Sequence, residues 1–438
     1  MKKIIPKSGF SKLSKNEKIL FLQEQLISED DAKMLEGFWH GNSSLQKTLD
    51  EFSENTISNF PLPFGIVPNL KINDQVYCVP MVIEESSVVA ACANSAKYWL
   101  NRGGYKTHVI GTTKIGHVHF KTEMSSEVLK RFFEDNKEQI FNSTIFLTKN
   151  MEERGGGIQS IRLVDKSREL ENYFQIEVEV ETCDAMGANF INSILEHIGK
   201  YFGTLLSNSN LENRDSYEVI MAILSNYTPN CIVRAEVSCP VEDLEESSLG
   251  MTGENFARRI KTAVDIARVD TYRATTHNKG IFNGIDSVIL ATGNDFRAVE
   301  ACGHTYASRD GVYRGLTHCT IKDGEFRLWL DLPLALGTVG GLTKLHPLSK
   351  LALDILQQPS AAHLMEIVAS VGLAQNFGAL RSLVTSGIQK GHMKMHLMNI
   401  LNQFNANEQE CLIAKEHFER ETVSFNGVRD FINGIREN

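Results

Sequence analysis

The stretch FQIEVEVETCDAMGANFINSILEHIGKYFGTLL, Phe174 to Leu206, decides the fold class. FQIEVEVET alternates apolar and polar residues in the period of two of a half-buried strand, and NFINSILEHIGKYFGTLL repeats its apolar residues at helical intervals. Between them CDAMGAN, Cys183 to Asn189, follows a strand and opens a helix, so its backbone N–H groups are placed to hold a phosphate. The turn lacks the G-x-G-x-x-G spacing of the doubly wound dinucleotide fold, and it therefore implies an α/β unit that is not a Rossmann domain. Taken alone, a plain strand-to-helix turn explains the same residues more simply.

Outward from this stretch, residues 111 to 227 keep the same texture. IGHVHF reads as a strand and SSEVLKRFFEDNKEQIF as an amphipathic helix, and a second glycine feature, ERGGG, occupies Glu153 to Gly157. This is a small α/β insert in a longer chain. With 438 residues the chain exceeds the roughly 250 to 300 at which a single core stops growing, so two or more domains are expected.

Downstream, THNKGIFNGIDSVILATGNDF, Thr276 to Phe296, sets Lys279 and Asp295 on either side of an apolar, glycine-rich run. SVILA reads as a buried strand or the core of a helix, and nothing in it calls for a lysine. A lysine beside a carboxylate in a partly dry pocket can accept the negative charge that builds on a carbonyl oxygen and exchange protons. A surface lysine and a turn aspartate flanking a core element fit the same residues.

Upstream, KNEKILFLQEQL and DDAKMLEGFW space apolar residues as helices do, as a packing or oligomerisation arm would. Pro61, Pro63, Gly65 and Pro68 impose an extended path on the next segment. VYCVPMVI is expected to be a buried strand that delivers Glu84 and Glu85 to the start of the helix SSVVAACANSAKYWL. Acidic residues there can serve as caps and dipole partners. Alternatively, one carboxylate held between apolar neighbours acts as a proton donor, and only one of two adjacent residues can face the site.

In the last third, GTVGG at Gly337 to Gly341 precedes a helix and suits either an anion or a packing turn. Gly387 and Gly391 bracket a hinge, and His392 opens the terminal helical segment as a candidate proton carrier.

Composition narrows the class. The formal net charge of -9, without a Lys/Arg run, argues against nucleic-acid binding. MKKIIPKSGF is not followed by an apolar leader core, and no run reads as a membrane span, so a soluble, cytoplasmic protein is expected. The eight cysteines include no C-x-x-C pair, which implies reduced, mostly buried thiols. Cys302, His304, His318 and Cys319 fit no common zinc spacing, and His392 and His396 lack the glutamate of H-E-x-x-H, so no metal is expected.

In combination, EESSVVAA, DAMGAN, THNKG, ATGND, GTVGG and GIQKGHM, spread over almost the whole chain, closely resemble the soluble bacterial class II 3-hydroxy-3-methylglutaryl-coenzyme A reductases. The resemblance implies an α/β (α+β) fold: a large mixed substrate-binding and dimerisation domain, 1–110 and 228–386, interrupted by a small nicotinamide-cofactor-binding domain, 111–227. A helical carboxy-terminal flap, 387–438, would follow. A homodimer with its active site at the subunit interface is implied, with higher assembly left open. By motif, Glu85, Lys279, Asp295 and His392 match the family's catalytic groups. Ser87, Arg273, Asn283 and Asn376 match residues that contact the hydroxymethylglutaryl portion or support the catalytic network. Asp184, Met186, Gly187 and Asn189 match the cofactor segment.

The implied reaction reduces a thioester twice to a primary alcohol with two NAD(P)H, releasing coenzyme A. Lys279 would stabilise each oxyanion, Asp295 would hold Lys279, His392 would protonate the departing thiolate, and Glu85 would protonate the aldehyde oxygen. Departures from the family pattern are ENTIS at Glu54 to Ser58 and Ser86 in place of a proline; neither removes a catalytic group. After ERGGG the chain carries Ser160 and Arg162 but no immediate acid, which leans towards NADPH and mevalonate synthesis. NAD-linked mevalonate breakdown and a non-catalytic coenzyme A-thioester binder are the alternatives.

Overall fold

The computed structural model describes residues 4–246, 250–385, 397–418, 421 and 423–437. Its centre is a mixed α/β body built on two separate four-stranded antiparallel sheets and one hairpin. The hairpin joins β1 (Phe64–Ile72) to β2 (Gln75–Val82). Asn73 and Asp74 both take positive φ, the geometry of the two-residue turn whose twist matches paired strands. The prolines before β1 keep the preceding chain extended, as their fixed φ requires.

The first sheet runs β3 (Lys106–Val109), β8 (Ile232–Pro240), β10 (Glu325–Pro333), β9 (Thr317–Lys322). Its strands come from both sides of the segment that forms the second sheet, so the chain leaves this layer and returns to it. The second sheet, in the order β5 (Gly157–Asp165), β6 (Tyr173–Glu181), β4 (Lys114–Lys121), β7 (Glu218–Leu224), is drawn from the intervening residues. Along β6 burial alternates strictly, with Phe174, Ile176, Val178 and Val180 inside. Helix α7 (Ala188–Ser207) covers that face with Ile191, Ile194, Leu195, Ile198 and Phe202, the i, i+3, i+4 stripe of an amphipathic helix. Phe120, Phe133, Phe174 and Phe202 meet in this core; truncating such a ring to alanine costs about 3–5 kcal/mol.

Three helices of the larger core position the site. Helix α4 (Ser86–Leu100) follows β2 directly. Helix α9 (Thr271–Ala291) buries Ala274, His277, Ile281, Phe282, Ile285 and Val288. Helix α13 (Ala361–Val384) packs against both. By length and hydropathy α13 would suffice to cross a membrane, contrary to the sequence expectation, yet 67% of its apolar window is buried in the protein. It is the core helix of the larger body. The run SVILA thus belongs to α9, and helical periodicity wins because Gly284 lets α13 approach: a Cβ there would lie 2.9 Å from that of Gln375.

At the amino-terminal end, α1 (Lys15–Gln25) and α2 (Glu29–Gly37) each start with a capping box, on Ser14 and Ser28 respectively. Near the other end, Leu397, Leu401, Ala414, Phe418, Val428 and Ile432 form a small core of their own. Residues 386–396, with the hinge glycines and His392, lie outside the described residues.

Candidate active site

Glu85 sits at the junction of β2 and α4, at the cap position of the helix, yet its side chain makes no capping bond. The carboxylate turns across to α9: Oε2 is 3.3 Å from Lys279 Nζ and Oε1 accepts from Ser87 Oγ at 2.9 Å. Glu84 is exposed, so the strand end presents one carboxylate to α9. Lys279 lies on the outer side of α9, its side chain 63% exposed within the single chain. Asn283, four residues on, falls on the same side of α9 as Lys279, Arg273 lies about a third of a turn around the helix from it, and both are half-buried. Burial lowers the Arg273 pKa.

Asn376 is placed differently. It is buried on α13, beneath α9, with Nδ2 3.2 Å from His277 Nε2, while its Oδ1 has no partner. His277 also hydrogen-bonds Thr317, and burial, reinforced by Arg273, holds it neutral with its pKa pushed down to about 3. This brace lies two residues from Lys279. Asp295 caps α10 (Phe296–Ala307), accepting from the backbone N–H of Arg297 at 3.1 Å and of Ala298 at 3.2 Å, and from Arg297 Nε at 3.3 Å.

Three sequence motifs meet at the boundary between the two sheets. Gly337 N donates to Asn294 Oδ1 at 2.9 Å, joining GTVGG to ATGND. Thr338 N donates to Asp184 O at 2.9 Å and Ala185 pairs with Val339, joining GTVGG to DAMGAN. A Cβ on Gly337 would stand 2.5 Å from Met186 N, so this approach needs the glycine. The Asp184 carboxylate accepts from Ala361 N at 2.7 Å, at the start of α13.

The DAMGAN turn itself can receive an anion. Gly187, at φ +86°, precedes the 20-residue helix α7 without a side-chain cap, leaving the first N–H groups of that helix available. ERGGG lies alongside, with Cys183 Sγ 3.3 Å from Arg154 O. Met186 lines the adjoining cleft, and Asn189 stands in the first turn of α7, exposed. These features fit a dinucleotide phosphate. Lys114, which sequence reading missed, is buried beneath the turn; a lone lysine opening a strand carries no signal of this.

The residues considered for metal binding are dispersed. His304 bonds Tyr313, His318 faces Arg268, and Cys302 contacts Thr228. Among the described residues no group of three or more His, Cys, Asp or Glu is gathered as around an ion.

Comparison with known proteins identifies the family. The family model for hydroxymethylglutaryl-coenzyme A reductase matches residues 16–397. The 3-hydroxy-3-methylglutaryl-coenzyme A reductase of Archaeoglobus fulgidus is 34% identical over 395 residues, covering 90% of this chain and 86% of that one. A probable enzyme of the same name from Borreliella burgdorferi is 34% identical over 398 residues, covering 90% and 88%. Among solved structures, the class II 3-hydroxy-3-methylglutaryl-CoA reductase of Streptococcus pneumoniae bound to NADPH is similar with a TM-score of 0.72 and 35% identity, over 87% of this chain and 100% of that one. With a family model spanning most of its length and relatives above 30% identity, this chain belongs to the hydroxymethylglutaryl-coenzyme A reductase family.

Proposed function

We propose that the protein reduces 3-hydroxy-3-methylglutaryl-coenzyme A to mevalonate and free coenzyme A at the expense of two reduced nicotinamide cofactors. The observation that carries this reading is the meeting of Glu85 with Lys279, supported by Ser87, in a member of this family. Two molecules of the reduced nicotinamide cofactor, bound in turn, would each supply one hydride. The chain's own groups manage charge and protons. Lys279 stabilises the oxyanion formed at the thioester carbonyl, a contribution whose loss costs about 10²- to 10³-fold in rate. When the hemithioacetal collapses, the C–S bond breaks and the thiolate takes a proton, assigned here to His392. The aldehyde oxygen, now carrying the second negative charge, takes its proton from Glu85. Asp295 supports Lys279, and Arg273, Ser87, Asn283 and Asn376 bind the acyl portion or brace the network.

Asp184, Met186, Gly187 and Asn189 form the nicotinamide-cofactor segment in this reading. NADPH is the proposed donor, as in the structural neighbour. Ser160 donates to Glu179 at 2.8 Å and Arg162 pairs with Glu177 at 2.6 Å, so an acid does stand near these residues, supplied by the adjacent strand. NADH use in the reverse, catabolic direction is therefore the second reading. A homodimer is proposed because Val269 and Tyr272, 82% and 88% exposed at the foot of α9, leave apolar surface open beside Arg273. We place the enzyme in the cytoplasm.

The test follows reduced-cofactor absorbance with hydroxymethylglutaryl-coenzyme A, comparing NADPH with NADH, and in reverse with mevalonate, coenzyme A and each oxidised cofactor. Preferential NADPH consumption supports biosynthesis. Preference for the NAD couple with mevalonate supports breakdown, and no turnover by a folded protein overturns the enzyme reading.

A further inference from the structure

We propose that Lys114 is a positioning residue for the nicotinamide-binding turn, an internal cation that fixes the backbone at Ala185 and Met186 from below. The inference rests on the assignment of DAMGAN as the cofactor segment.

Lys114 opens β4, and only 4% of it is exposed. Its ammonium donates to Thr182 Oγ1 and, at 3.1 Å, to Ala185 O. Thr182 Oγ1 donates in turn to Ala185 O at 2.6 Å, so lysine, hydroxyl and carbonyl form a closed triangle under the turn. Ala185 N donates back to Thr182 O at 3.0 Å, and a Cβ on Gly187 would come within 2.5 Å of Thr182 Cγ2. The path from Thr182 to Gly187 is thus set from beneath by Lys114 and Thr182, and from outside by the bonds of Asp184 to Thr338 and Ala361.

A buried ammonium is expensive to keep, and a merely structural strand start has no use for one. Here it is flanked by clefts on either side, one reaching Met186 and Cys302, the other, of about 120 Å³, reaching Glu181, Cys183, Asp184 and Cys231. Burial lowers its pKa while Cys231, Glu181, Cys183 and Asp184 oppose that shift. Acting through the turn, Lys114 orients the N–H groups that open α7 without touching the cofactor itself.

The test compares wild type with Lys114→Met, Thr182→Val and the double variant. It measures the NADPH dissociation constant by fluorescence, and kcat and KM for hydroxymethylglutaryl-coenzyme A at saturating cofactor. Lys114→Met is expected to weaken NADPH binding about tenfold or more, as displacement of a positioned group does, while KM for the acyl substrate stays within about twofold. Thr182→Val should act in the same direction more mildly, and the double variant should be no worse than Lys114→Met. Should Lys114→Met fail to fold, Thr182→Val alone decides: unchanged NADPH affinity overturns the proposal. Wild-type-like NADPH binding by Lys114→Met, or equal weakening of both substrates, overturns it as well. A wild-type protein that binds neither NADPH nor NADH overturns this inference together with the function it rests on.

Discussion

Lys279 Nζ stands 3.3 Å from Glu85 Oε2 across 194 positions of sequence, a contact that exists only because α4 and α9 pack side by side. Glu85 also holds Ser87, so the carboxylate is oriented by two donors. Lys279→Ala should remove both half-reactions, lowering turnover of hydroxymethylglutaryl-coenzyme A and of free mevaldehyde by about 10²-fold or more. His392→Gln should spare mevaldehyde reduction, since no thiolate leaves in that step. Steady-state assays with the two substrates check this, and equal losses in both for His392→Gln would sink its assignment.

Gly187→Ala places a methyl group 2.5 Å from Thr182 Cγ2 at a positive φ that side chains disfavour. The expected outcome is a rise of about tenfold in KM for the reduced cofactor, with little change in KM for the acyl substrate. Initial-rate measurements varying each substrate in turn distinguish the two.

Asp286, on α9, interacts with Glu300 on α10. Burial first, and then repulsion from Glu300, pushes its pKa up from 3.8 to about 8. The folded protein therefore keeps a proton there that the unfolded chain releases above about pH 4. The stability this supplies is complete below that pH and is lost as pH rises towards 8. Asp286→Asn mimics the protonated form, so its unfolding midpoint should fall less than that of wild type between pH 4 and 8. Denaturant titrations across this range test it; parallel curves would refute it.

Near the end of α13, Arg381 forms a two-pronged ion pair with Glu246, whose side chain is only 6% exposed. Arg381→Met strands that carboxylate and should destabilise the fold by about 2–4 kcal/mol, discounted from a fully buried pair because the arginine is partly in solvent. Adding Glu246→Leu should restore most of the loss. Equilibrium unfolding of the single and double variants reads both effects.

Much of the architecture was legible because it is local. VYCVPMVI forms β2, FQIEVEVET forms β6, and the amphipathic run after DAMGAN forms α7, since each carries its own periodicity. SVILA was ambiguous because a five-residue apolar run suits strand and helix alike; the glycine-mediated contact with α13 settles it, and that contact is remote in sequence. Single motifs left Glu85 undecided between helix cap and proton donor. In the fold its carboxylate makes no capping bond and turns instead to Lys279. Lys114 and the His277–Asn376 brace stayed invisible, as a buried lysine and a neutral histidine are defined by neighbours rather than by spacing.

The bond from Ala361 N to Asp184 spans 177 positions and crosses from one sheet's body to the other's. Half the scaffolding of the DAMGAN turn is thus borrowed from outside the segment that contains it. Residues 111–227, cut out and grafted elsewhere, would carry their sheet and α7 with them but leave that scaffolding behind. The DAMGAN turn is therefore not a portable module, and swapping the segment between relatives requires exchanging Gly337–Val339 and the start of α13 along with it.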